Sequence, residues 1–466
     1  MALGNAIDVS GPMGGVEEQP GVGALLLLGI QHVLVSNVWL DPVFVAAVAG
    51  LPAALAANMV NAIFLAAGLV TLAQSTRLVR LPIVEGPSAA FDPLMITFAR
   101  AGRLAAATTG IFTSALVILV LALSGLLGRL RALFTPAVAG SVILLVGLAL
   151  ARFTLVEVLG GNPGSPAFAS PPTVAIAAMT MASVLALTLF GRGAARRYAF
   201  LWALLVGDAV AALLGRLDVG AVREARWVGI PRFLPYGGVD FQWGVTVAFF
   251  LAFLVAVVEA VGVYYAAGEI VGTEITPERL TFGVAGEAAG SAVSTLFGGF
   301  ATTAYAQNVG LLQLTGVATR HAVTASALLF LILALIPKLG ALLAATPDPV
   351  VGGLFLPAAG SVVMAGIRTL RRMEWTPAAQ AVAGLSLMVG TGLPALGDPL
   401  LRRLGPVWGI LLGQQVVVGA VVAIVLQMLL VEIPAAARRA ADGRDAPTPH
   451  VRGRERTAGD RPKRPV

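Results

Sequence analysis

Long apolar runs follow one another from residue 21 to residue 431, and few folds accommodate them. A helix crosses a bilayer with about 20 apolar residues. Runs of that order lie near 21–40, 52–73, 84–99, 106–126, 136–158, 173–191 and 199–215. A second set lies near 244–272, 281–298, 306–318, 321–345, 349–367, 376–393 and 405–431. Charged residues are 12% of the chain, about half the share in a soluble domain. The chain therefore reads as an all-α polytopic membrane protein with fourteen transmembrane segments.

The longest polar stretch divides the runs seven and seven. Because seven is odd, equivalent halves cross the membrane in opposite senses, which is the arithmetic of an inverted repeat. The organisation expected is an N-terminal cytoplasmic segment at 1–20, a first repeat at 21–215, a connecting loop at 216–243, a second repeat at 244–431 and a disordered basic tail at 432–466. Residues 1–20 carry Asp8, Glu17 and Glu18 and no Lys or Arg, which is the wrong charge for a signal peptide. From Arg438 onward the tail holds most of the formal net charge of +7. A Pro/Gly/Arg tail after a last span reads as cytoplasmic rather than nucleic-acid-binding. With the long central loop discounted, the positive-inside rule favours both termini inside, in a multi-pass inner (plasma) membrane protein.

Two segments look broken. The third reads EGPSAAFDPLMITFA and the tenth GGFATTAYAQNVGLLQLTG, each too short and interrupted for an ordinary spanning helix. They hold the same place in each half, and paired interruptions point to a transporter's substrate site. Backbone extended at membrane depth must be hydrogen-bonded or line a cavity. Short antiparallel strands near Pro87–Ala90 and Thr303–Ala306 would pair with each other; kinked packing helices are the competing reading.

Few residues offer chemistry. Glu259 lies deep in FLAFLVAVVEAVGVYYAAGEI, where a carboxylate is expensive and marks a functional site by default. It would accept hydrogen bonds from a ligand's N–H groups or take up a proton. Gln307 presents donor and acceptor on one plane, suited to an amide-like ring edge. Asn308 would help it or cap a helix. Glu287, among small residues, would brace a half-helix or relay protons. His32 titrates near neutrality and fits a relay, although a lone buried His is more often structural. Tyr305 would stack on a planar ligand or simply pack. Asp41, Asp92 and Asp208 carry less weight, each near a span end. The absence of Cys, Walker A, HExxH and GxSxG patterns removes thiolate metal sites, ATP-driven transport and hydrolysis. Neither a cofactor nor an enzyme activity is expected, since no nucleophile–base pair is found.

The run TTAYAQNVGLLQLTGVATR resembles the signature of the nucleobase–ascorbate transporters, also called the nucleobase:cation symporter-2 (xanthine/uracil permease) family. That signature is Gln, Glu or Pro, then Asn-x-Gly-x4-Thr, then Arg, Lys or Gly, matched by Gln307, Asn308, Gly310, Thr315 and Gly316. Gln31–His32, Gly86–Pro87–Ser88 and VEAVGVYYA support it in order, over about 21–431. The resemblance implies core and gate domains, elevator-type alternating access, a homodimer, and symport of a nucleobase with protons or possibly Na+. It implies that Glu259 and Gln307 grip the base, with Tyr305, Asn308 and backbone near Ser88–Ala89 completing the pocket. Glu259, Glu287 and His32 become the proton-coupling candidates. Gln307 resembles the purine members, such as those for xanthine or uric acid, where uracil members tend to carry Glu and ascorbate members Pro. Val263 departs from the family's usual Asp or His, and Ser36, Asn37 and Trp39 depart from its small apolar residues. The alternatives are a uracil/pyrimidine symporter of this family, a sulfate-type anion transporter of the same 7+7 plan, or a passive facilitator.

Overall fold

Thr–Pro steps start several of the helices. Pro136, Pro277 and Pro377 each occupy the first helical position, where the missing N–H costs nothing. The Thr before each accepts a hydrogen bond from the backbone of the first turn. Glycines in the left-handed region end others, as at Gly50 (φ 64°) and Gly272 (φ 66°). Between these signals the runs are apolar on every face, so packing and lipid together decide which residues are covered.

The computed structural model describes residues 15–126, 135–315, 317–397, 406–435 and 437. The helices are α1 Val22–Ser36, α2 Leu40–Ala49, α3 Ala53–Ala73, α4 Asp92–Arg100, α5 Leu104–Leu123, α6 Pro136–Val158, α7 Pro171–Phe190 and α8 Ala199–Leu213. They continue as α9 Trp243–Val271, α10 Pro277–Leu296, α11 Ala306–Thr315, α12 Arg320–Ala334, α13 Pro337–Ala344, α14 Asp348–Leu370, α15 Pro377–Ala395, α16 Pro406–Leu412 and α17 Gln415–Gln427. Two short strands, β1 Glu85–Pro87 and β2 Thr302–Ala304, precede α4 and α11. Among the described residues nine helices are long and apolar enough to cross a membrane, or ten if α12 and α13, bent by 84°, form one span. Exposed side chains such as Leu213, Phe190 and Met388 give them a lipid-compatible outer face.

The helices pack in two groups. One contains α1, α3, α5, α9, α10 and α12, the other α6, α7, α8, α14, α15 and α17. The packing is symmetric between halves. Exchanging first-half elements for their second-half counterparts turns α3–α12 into α10–α5, α1–α12 into α9–α5, and α7–α8 into α15–α17; α6–α14 and β1–β2 map onto themselves. Repeats with faint sequence similarity are legible here as repeated contacts.

Three sequence expectations are adjusted. The first span does not stop near 40: α1 ends at Asn37, in the left-handed region (φ 54°), and the chain continues as α2 to Ala49. The strands lie earlier than expected, with Glu85 opposite Ala304, Gly86 opposite Thr303 and Pro87 opposite Thr302. The third is the span expected near 321–345, which is two helices, α12 and α13, bent by 84°. The central loop is fastened: Arg232 N–H donates to Asn58, Leu234 N–H to the Leu296 carbonyl, and the Tyr236 hydroxyl to the Gly298 carbonyl. Near the other end of the molecule Glu17 accepts hydrogen bonds from Arg320 and Arg80, and the Arg320 bond holds its carboxyl below the usual range. Residues 1–14 and the basic tail from 438 lie outside the described residues.

Candidate functional site

The site begins with backbone bookkeeping. Strand residues at membrane depth cannot leave amides unpaired. The ladder between β1 and β2 is extended by Ser88 N–H donating to the Ala301 carbonyl (3.0 Å) and Tyr305 N–H to the Val84 carbonyl (2.9 Å). Thr302 N–H donates to Ser291 Oγ (2.9 Å) and Glu85 N–H to Thr71 Oγ1 (2.9 Å). The strand pair is thus tied to α10 and α3. Gly86 lets this layer close: a Cβ there would lie 2.6 Å from Tyr305 Cζ and 2.9 Å from Val38 Cγ2.

Between the two helix groups lies a cavity of about 160 Å³. It is lined from α1, α2, α9 and the strand region by Ser36, Asn37, Leu40, Asp41, Pro87, Ala89, Glu259, Thr303 and Tyr305. The second group contributes Leu150, Phe200, Phe355, Ala358, Ala359, Ser361 and Val362. The volume is that of about five water molecules, the scale of a small planar heterocycle. Aromatic rings flank it, with Phe355 stacked on Phe44 at 3.6 Å. Its charged lining is acidic: among the described residues no Lys or Arg reaches it. Such a cavity offers acceptors and ring faces to a ligand rich in N–H donors.

Of the residues singled out from the sequence, Glu259, Tyr305 and Ala89 line the cavity. Ser88 stands beside it, fully buried, with a hydroxyl that meets no described partner. Asn308 and His32 face each other away from the cavity lining. Asn308 Nδ2 donates to the His32 carbonyl (3.1 Å) and lies 3.2 Å from His32 Nδ1. The side chain of Gln307 lies outside the described residues. Val263, one turn after Glu259, is packed in an apolar cluster with Ala304 and Val309. Glu287 forms a separate layer behind the strands. It accepts hydrogen bonds from the Tyr264 hydroxyl and the Ala304 amide, and Gln74 Nε2 donates to that same hydroxyl (3.0 Å).

Sequence reasoning missed Glu85. Its side chain is fully buried, faces Glu287, and meets no described donor at either carboxyl oxygen. A signal was present, an acidic residue in the apolar stretch LPIVEGPSAAF, but the neighbouring prolines drew attention first. Asp41 was given too little weight for another reason: no local signal shows that the chain breaks at Asn37 and returns Asp41 to the cavity.

Residues 23–398 match the Permease family of the xanthine and uracil permeases. The uric acid permease PucK of Bacillus subtilis is 29% identical over 418 residues, covering 88% of this chain and 96% of the relative. The xanthine permease of Bacillus subtilis is 27% identical, covering 88% and 94%. Among solved structures, the transmembrane domain of the cyanobacterial bicarbonate transporter BicA superposes with a TM-score of 0.58 at 15% identity, covering 88% of this chain and 98% of that one. SLC26A9 superposes with a TM-score of 0.62 at 15% identity, covering 88% and 65%. At such identity the two structures speak for the fold alone.

Proposed function

Because the chain belongs to the Permease family and is a multi-pass membrane transporter rather than an enzyme, we propose that it is a secondary active nucleobase transporter. The substrate proposed is an oxidised purine such as xanthine or uric acid, carried with protons. The observation that carries this reading is Glu259, an intramembrane carboxylate facing a small cavity between two helix groups. Glu259 accepts hydrogen bonds from ring N–H groups, Gln307 completes the edge, and Tyr305 with the backbone of Ser88–Ala89 flanks the ring. The relatives named for uric acid and xanthine support a purine over uracil.

In this proposal the group holding β1 and β2 is the core and the other group the gate. The fourteen segments form two inverted repeats, and the core moves against the gate as an elevator in a homodimer with both termini cytoplasmic, in the plasma (inner) membrane. Glu259, Glu287 and His32 carry the proton traffic. Glu85 supports that choice for Glu287 by placing a second buried carboxyl, without a described donor, beside it. Sodium coupling and passive equilibration are the alternatives, and Val263 is the residue that motivates the second.

The binding test uses purified protein, labelled xanthine and unlabelled competitors. Uric acid and xanthine are expected to displace the label at least tenfold better than uracil, a difference of about 1.4 kcal/mol. Preference for uracil overturns the purine assignment, and sulfate competing with no base overturns the nucleobase reading.

A further inference from the structure

Glu259 is not alone in the cavity. Asp41 lines the same space, on α2 rather than α9. It is there because of a backbone event. Asn37 adopts the left-handed conformation (φ 54°), α1 ends, and Asp41 falls in the first turn of α2. Aligned N–H dipoles at a helix start favour a negative charge, so the position tolerates a carboxylate. An ordinary structural role there would be to accept from a free amide of the helix start; the N-cap position is Trp39, which makes no side-chain cap bond, and no described amide donates to Asp41. Its described partner is the Tyr305 hydroxyl, which donates to Oδ2 at a long 3.4 Å. Asp41 is only half-buried, its remaining surface open to the cavity, and no described Lys or Arg pairs with it.

We propose that Asp41 is a second substrate-reading carboxylate, which accepts an N–H from a part of the ring system other than the edge held by Glu259. This deepens, and rests on, the nucleobase-transporter reading. The two carboxylates lie within electrostatic range of each other. A ligand that donates an N–H to each relieves their repulsion. The preferred substrate class is therefore a fused-ring oxopurine with N–H donors on both rings. Thr303 and Ser361 line the same cavity; their hydroxyls donate to the Ala256 and Ala358 carbonyls (3.3 and 2.6 Å), which leaves their oxygens as further acceptors.

The test measures uptake of labelled xanthine into proteoliposomes, with competition by each mono-N-methyl derivative. Wild-type protein, Asp41→Ala, Asp41→Asn and Tyr305→Phe are compared at equal membrane insertion. A site built to accept an N–H strongly rejects the analogue lacking it, so wild type is expected to exclude derivatives methylated on either ring by about tenfold or more. Asp41→Ala is expected to raise the KM for xanthine about tenfold and to readmit derivatives methylated on one ring only. Asp41→Asn, nearly isosteric, keeps the result readable if the Ala variant inserts poorly, and it should show the same selective loss. Tyr305→Phe removes the hydroxyl that Asp41 accepts from and should retain the discrimination. Loss of discrimination in Tyr305→Phe would make Asp41 a mere support for Tyr305 and overturn the proposal. An unchanged competition profile in both Asp41 variants overturns it as well. Failure of wild type to take up or bind any oxopurine overturns the transporter reading itself, a separate result.

Discussion

Replacing Glu259 by Gln abolishes accumulation of the purine substrate while leaving insertion and folding intact. The effect follows from what the carboxylate lacks. Glu259 is in the middle of α9, a 29-residue helix apolar enough to span a membrane, and it opens into the cavity with no described cation beside it. A hydrogen bond to a charged acceptor contributes about 1.5–3 kcal/mol, and an unmet polar group costs a similar amount. Loss of one ring-edge contact of this kind lowers uptake by on the order of tenfold to a hundredfold. Loss of the proton-carrying group removes what uptake remains against a gradient. The variant keeps the volume of the side chain, so packing in α9 is undisturbed. The check is initial-rate uptake at equal membrane amounts. A variant with normal uptake would remove Glu259 from the site.

The second large effect comes from a position without chemistry. Gly86→Val places a branched side chain where the Tyr305 ring, 2.6 Å from the first added carbon, and Val38 already stand. Overpacking of this kind costs about 1–3 kcal/mol. Relief can come from turning Tyr305 into the cavity or from prising β1 off β2, and either outcome destroys the binding surface. Uptake is expected to vanish and thermal stability in detergent to fall. Gly86→Ala should show a weaker form of both losses. A fully active Gly86→Val protein would mean that the strand pair and Tyr305 do not form the site.

How much of this was legible beforehand differs by residue, for physical reasons. Apolar run length and the clustering of Pro87, Pro93 and Gly298–Gly299 announce the broken segments, because proline and glycine interrupt a helix wherever they occur. Glu259 announces itself because a carboxylate inside an apolar run has no cheap alternative explanation. The strand register was missed by about two residues at β1, since three-residue strands carry no period to read. Asp41 was undervalued because its meaning depends on Asn37 taking a conformation that composition does not reveal. Phe200 and Phe355, which close the cavity from the second group, are apolar residues in apolar runs, and only packing distinguishes them from lipid-facing neighbours. Glu85 needed its partner: an acid near a span boundary looks ordinary until Glu287 is found across the strand pair.

The account stands or falls on energised purine transport. The decisive measurement is uptake of labelled xanthine into proteoliposomes of the purified full-length protein, with and without an imposed inward proton gradient. Accumulation above the external concentration, driven by the gradient and collapsed by a protonophore, is the result predicted. Uptake that merely equilibrates, indifferent to the gradient, or accumulation of uracil in its place, would contradict it.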